Sequence, residues 1–205
     1  MPLTARDKKF YDYLVETRLP ILSTDCARLF YPSETGNERS SIVIAQRRAK
    51  VMEKEQYIQI SKKGFGGSVY YYVGQPPSSK MLRHSLMKSS AIAKIATSGF
   101  EILDIDVEHH FPSKYGLISD LYLTCKYGKE TFDLIVEVDL TKDFNVEGYT
   151  RLIKDIKNKN FQLKRPLYIL SVCDFKIKDE FIKMHVTQVK TDFSDFEKFK
   201  YNFIR

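Results

Sequence analysis

The chain has 205 residues, of which 43% are apolar and 29% charged, and its formal charge is +7; such a composition excludes a wholly disordered polymer and suffices for one large domain or two small ones. MPLTARDKKFYDYL at the start has no apolar core of signal-peptide length, and no stretch approaches the ~20 apolar residues of a membrane span, so a cytoplasmic protein with no membrane partner is expected. The basic excess suits an anionic partner, and residues 1–75 hold 12 Lys and Arg against 8 Asp and Glu, a net +4, more than half of the total. Cys26, Cys125 and Cys173 are far apart, odd in number and without a CxxC partner, which reads as three buried, reduced thiols.

Leu3 to Arg18 reads as a first helix, with Thr4 as N-cap and Asp7 completing a capping box; Phe10, Tyr13, Leu14 and Thr17 share one face. LPIL is a short extended connection, and a second helix, Asp25 to Tyr31, ends at Pro32. After the polar loop SETGNER comes SSIVIAQRRAKVMEKEQ, whose Ile42, Ala45, Ala49 and Met52 form one apolar stripe. The opposite stripe is Ser40, Val43, Arg47, Lys50 and Lys54. YIQI and VYYYV then read as two strands joined by SKKGFGGS, whose glycines supply the positive φ a hairpin loop needs.

Helix, short strand, helix, helix and hairpin is the order of a winged helix-turn-helix, in which the third helix lies in the major groove of double-stranded DNA and the wing rides on the backbone. Arg39, Ser40, Gln46, Arg47, Arg48, Lys50 and Lys54 are the candidate DNA-binding residues on or beside that helix, with Lys62 and Lys63 in the wing. Arg and Gln suit base edges; Ser and Lys suit phosphates. The competing reading is a solvated, charged helix face. The Tyr70–Tyr72 run is either a stacking platform for bases or, as expected here, a strand that packs on the helices.

GQPPSS has the composition of a linker, which divides the chain into a winged-helix domain (1–74), a linker (75–79) and a second domain (80–205). In that second domain a helix from Lys80 to Ser98 ends at Gly99. EILDIDVE alternates Leu103, Ile105 and Val107 with acids, so those three are expected on one buried face. ISDLYLT and TFDLIVEVDL are further strands, Val146 to Asn158 is helical in spacing, PLYILSVC is a buried strand, and the tail offers Phe193, Phe196 and Phe203 to cover the sheet.

Asp120 on one strand, with Glu137 and Asp139 two apart on the next, is the arrangement of a restriction-endonuclease-like α/β core, and the whole chain is therefore expected to be α+β or α/β. Two carboxylates buried in LIVEVDL need compensation, and a divalent metal at Asp120 and Glu137 would supply it. The position that holds lysine in such nucleases is Asp139 here, and a carboxylate cannot neutralise developing charge as an ammonium does. Three readings follow: a catalytically degenerate module that needs no cofactor, an active Mg²⁺-dependent nuclease whose lysine has migrated to Lys154, or carboxylates on an exposed sheet edge. His109 and His110 are adjacent and face opposite ways on a strand.

The pieces LTARDKKFYDYL, ILSTDCARLFYP and AQRRAKVMEKEQYIQI, followed by ISDLYL and IVEVDL, resemble the replication-relaxation family of plasmids and integrative elements. The chain departs from that pattern at Gln56, where a glycine often ends the helix, at Ser119, where a proline is often found, and in its long polar tail. The resemblance implies a sequence-specific accessory protein of a mobile element, acting in replication initiation or conjugative transfer, with a second copy of the chain and a replication initiator or relaxase as expected partners. It carries Gln46, Arg47 and Arg48 over as DNA contacts and Asp120, Glu137 and Asp139 as the carboxylate site. A winged-helix transcriptional regulator, autorepressor or antitoxin-like, is the alternative from a different class.

Overall fold

The computed structural model describes residues 2–62, 67–140 and 144–203, which form two compact units, residues 1–98 and 99–205. The class is mixed α+β: helices with a small three-stranded sheet in the first unit and a five-stranded mixed sheet in the second. Among the described residues no helix is long and apolar enough to cross a membrane.

In the first unit, α1 (Ala5–Thr17) opens with the expected capping box, in which the Thr4 hydroxyl accepts from the Asp7 amide and the Asp7 carboxylate accepts from the Thr4 amide. It ends at Arg18, whose φ of 57° is left-handed. Next come β1 (Ile21–Leu22), α2 (Ser23–Phe30), α3 (Glu38–Lys54), β2 (Gln59–Ser61), β3 (Tyr70–Tyr72) and α4 (Ser79–Thr97). The strands are antiparallel in the order β1-β3-β2, with Tyr71 opposite both Ile21 and Ile60. Phe10 of α1 meets Tyr31 and Tyr71 edge-on at 6.2 and 5.7 Å. Ala45, Ala49 and Met52 of α3 are buried in the same core, as their spacing predicts, while Ile42 of the same expected stripe is only half-buried; the two alanines let the helices approach closely. Tyr70 and Tyr71 are buried, so the tyrosine run packs inward.

The domain boundary is not where composition places it. Of the expected linker 75–79, residues 75–78 connect two elements of one unit and Ser79 already opens α4, which is tied to the elements before it. Ser89 Oγ donates to the Pro20 carbonyl at 2.7 Å and accepts from the Tyr13 hydroxyl at 2.9 Å, and Ser90 Oγ donates to Asp25 at 2.6 Å. The division falls instead at Ser98/Gly99, where Gly99 adopts the positive φ of 96° that ends the helix.

The second unit runs β4 (Glu101–His110), β5 (Ile118–Tyr127), β6 (Glu130–Val138), α5 (Val146–Lys157), β7 (Leu167–Val172), α6 (Glu180–Lys183), β8 (Val186–Val189) and α7 (Glu197–Lys200), in sheet order β4-β5-β6-β7-β8. β4 to β6 form an antiparallel meander; β7 and β8 join parallel to β6 and to each other. Ile135 and Ile169 pack with Leu152 and Ile153 of α5 on one face. The aromatic tail meets strand residues of opposite parity: Phe203 lies 4.6 Å from both Phe132 and Tyr168, while Phe196 and Phe199 are buried. The face expected to be buried on β4 is not: on this edge strand Ile105 and Val107 are only half-buried, and Leu103 departs further. The register slips between Ile102 and Asp104, so Leu103 is the extra residue of a β-bulge and stands 50% exposed. All three cysteines are free and buried, as expected.

α3 ends in a Schellman arrangement, in which the Tyr57 amide donates to the Met52 carbonyl and the Gln56 amide to that of Glu53. Gln56 occupies the left-handed position, φ 62°, that favours glycine. Gln56→Gly should therefore raise stability by about 0.5–1 kcal/mol in urea denaturation.

Candidate nucleic-acid interface and carboxylate cluster

Burial of Ala45, Ala49 and Met52 sets the rotation of α3 about its axis. That rotation turns Arg39, Ser40, Gln46, Arg47, Lys50 and Lys54 to the surface. Val43 and Ile44 lie among them, 39% and 37% exposed, so the face offers apolar contact beside its donors. A shallow concavity of about 380 Å³ follows the first turns of the helix, lined by Arg39, Ser40, Val43, Ile44 and Arg47 together with the N-cap Asn37. Lys62 is exposed just after β2; Lys63 lies outside the described residues.

Arg48 does not belong to this face. One position on from Arg47, it is turned by about 100° toward the core. Its Nε donates to Asp7 Oδ1 at 3.1 Å and its Nη2 to Oδ2 at 2.5 Å; its side chain is 14% exposed and that of Asp7 is fully buried. Burial alone would push the Asp7 carboxyl up, but hydrogen bonds from Arg48, Thr4 and Tyr31 outweigh it and hold it at about 2. Arg48 is thus a structural cation that the run of basic residues disguised. The signal available in the sequence was Asp7, a carboxylate on the same turn as the buried face of α1.

In the second unit the register places Leu121 opposite Val136 and Tyr122 opposite Ile135, which makes Asp120 and Glu137 neighbours on the face that α5 covers. Asp120 Oδ2 accepts from the Val138 amide at 2.7 Å, and Glu137 accepts from the Tyr149 hydroxyl. Tyr149 reaches it because Gly148 lets α5 sit close: a Cβ there would stand 2.6 Å from the Leu117 side chain and 2.9 Å from the Tyr115 carbonyl. Burial pushes the Glu137 carboxyl up to about 8; the charges of Asp120 and Asp139 add to this, and the Tyr149 hydrogen bond offsets only part. Glu137 is therefore mostly protonated at neutral pH.

The structure brings Asp120, Glu137 and Asp139 into one electrostatic cluster and leaves Lys154 out of it. Lys154 is exposed, with its ammonium 5.9 Å from the Phe181 ring centre, and the α5 residue on the carboxylates is Tyr149. Among the described residues no three His, Cys, Asp or Glu side chains stand at metal-ligating spacing. His109 stacks on Tyr122 at 4.5 Å and pairs with Asp106 at 2.7 Å, while His110 is exposed.

Two outcomes follow from these two carboxylates. Arg48→Ala strands a buried Asp7 charge and should cost about 3 kcal/mol in urea denaturation, whereas Arg47→Ala on the exposed face should stay within about 0.5 kcal/mol. A raised Glu137 favours the folded state at low pH, and that contribution declines as pH rises from about 4.5 through about 8. Glu137→Gln should flatten the stability profile across this window, and an unchanged profile would count against the assignment. In comparisons with known proteins, the chain matches no family model, no curated protein and no solved structure.

Proposed function

We propose that the chain binds double-stranded DNA sequence-specifically through the exposed face of α3. The observation that carries this reading is the rotation of α3, which buries Ala45, Ala49 and Met52 and turns Ser40, Gln46, Arg47, Lys50 and Lys54 outward together. The order α1-β1-α2-α3-β2-β3 with an antiparallel β1-β3-β2 sheet supports a winged helix-turn-helix, the arrangement that presents such a helix to the major groove. Arg47 and Gln46 are the base readers in this proposal, Val43 and Ile44 suit thymine methyl groups, and Arg39, Lys50, Lys54 and Lys62 take phosphates.

The meander β4-β5-β6, followed by α5 and a strand parallel to β6, supports an endonuclease-like reading of the second unit. We read it as catalytically degenerate. Asp139 stands in the lysine position, Lys154 is directed to Phe181, and Asp120 and Glu137 are engaged by protein donors. The role as an accessory protein of a mobile element, with a replication initiator or relaxase as partner, rests on the sequence resemblance alone. The position of the bound site, at an origin or at a promoter, separates it from a transcriptional regulator.

One observation favours a nuclease as second reading: the strand register sets Asp120 beside Glu137, with Asp139 near enough to act on Glu137, and a divalent cation would take such carboxylate oxygens as ligands. Cleavage of DNA in Mg²⁺ or Mn²⁺ that disappears in Glu137→Ala would establish it. For the first reading, Arg47→Ala should weaken binding to a cognate duplex by about 1–3 kcal/mol in fluorescence anisotropy. Affinity should also fall steeply between two salt concentrations. Equal affinity of wild type and Arg47→Ala would remove α3 as the recognition helix.

A further inference from the structure

A cleft of about 530 Å³ opens in the second unit between the end of α5, the 158–166 connection and the start of β7. Its floor is apolar: Ile153 and Ile156 from α5, Phe161 from the connection, and Leu167 and Ile169 from β7. Its rim carries Lys157, Lys159, Arg165 and His185, and no carboxylate is among its described lining residues. The volume falls in the range of about 300–1,000 Å³ that small ligands occupy.

The cations are held in different ways. Arg165 Nη1 donates to Asp133 Oδ1 at 2.9 Å and to Thr124 Oγ1 at 3.3 Å. This engages one nitrogen and sets the arginine's charge against the buried Asp133 carboxylate, while Nε and Nη2 make no hydrogen bond among the described residues. Lys157 stands 5.1 Å from the Phe181 ring centre. His185 Nδ1 lies 2.8 Å from the Phe181 carbonyl, which can only accept, so Nδ1 carries a proton and Nε2 remains for a second partner.

We propose that this cleft binds a small amphipathic anion, an apolar chain or ring bearing a carboxylate or a phosphate. The apolar body is desolvated on the Ile153–Ile169 floor. The anionic head meets the Nε–Nη2 edge of Arg165, whose planar geometry suits either head group, and Lys157 and Lys159 supply the net positive charge, since Arg165 is already paired with Asp133. A nucleic-acid backbone would use the cations but has no need of the floor. The assignment does not depend on the function proposed for α3.

Isothermal titration of the full chain with decanoate, decyl phosphate and decan-1-ol tests it. One saturable site is expected for an anion, at least tenfold tighter than for the alcohol, and the two anions identify the preferred head group. The double substitution Lys157→Glu with Lys159→Glu changes two exposed positions and should weaken anion binding at least tenfold while the chain keeps its folded circular-dichroism spectrum. Leu163→Glu, at the cleft mouth, should do the same. Equal binding of alcohol and anions, no saturable binding of either anion, or anion affinity untouched by the charge reversals would each overturn the proposal. Weakened duplex binding in the charge-reversed variant, with decanoate affinity intact, would reassign the basic rim to DNA.

Discussion

The carboxylate of Asp7 is the point on which the first unit depends. It is fully buried, and a bare buried charge would cost several kcal/mol. Here it accepts from the Thr4 amide and hydroxyl, from the Tyr31 hydroxyl and from two nitrogens of Arg48. These donors belong to the cap of α1, the end of α2 and the middle of α3. One side chain therefore joins three helices. Its depression to about 2 from 3.8 corresponds to about 2 kcal/mol at neutral pH, present above pH 4 and lost as pH falls through the folded value.

This interaction also bears on function, because Arg48 acts as a stop on the rotation of α3. With Arg48 drawn to Asp7 and Ala45, Ala49 and Met52 in the core, Arg47 and Gln46 have only the solvent side available. A helix with the same composition but no such anchor could turn, and a recognition face needs a fixed register against base edges. The DNA-binding proposal is thus a statement about geometry more than about positive charge.

The second unit treats its carboxylates differently. Asp7 remains ionised because donors converge on it; Glu137 is close to neutral because burial and two neighbouring acids outweigh the Tyr149 hydroxyl and the Asp120 amide. The Asp120 side chain is used to bind the Val138 amide across the sheet, which ties the end of β6 to β5. These uses account for acids in a strand without invoking catalysis. They also leave a cluster whose protonation state a cation would change.

Several features were legible in the sequence because they are local. The Thr4–Asp7 capping box, the apolar stripe of α3, the stop at Gly99 and the placement of Asp120 beside Glu137 through strand periodicity all depend on residues within a few positions or on a period of 3.6 or 2. Other features depend on what comes near from elsewhere. Adjacent arginines look alike in a string, and only the ion pair that Asp7 of α1 makes with α3 separates the structural Arg48 from the exposed Arg47. The serines of α4 carry no mark of the Pro20 carbonyl and Asp25 they bind, so composition assigned the helix to the wrong unit. A bulge at Leu103 shifts the phase of a strand whose alternation is otherwise regular, and the role of Tyr149 required the close seat of Gly148 on Leu117. Local periodicity determined the elements and their apolar faces; long-range hydrogen bonds and close packing, which no window of sequence contains, decided which polar side chains hold the fold and which remain available to a partner.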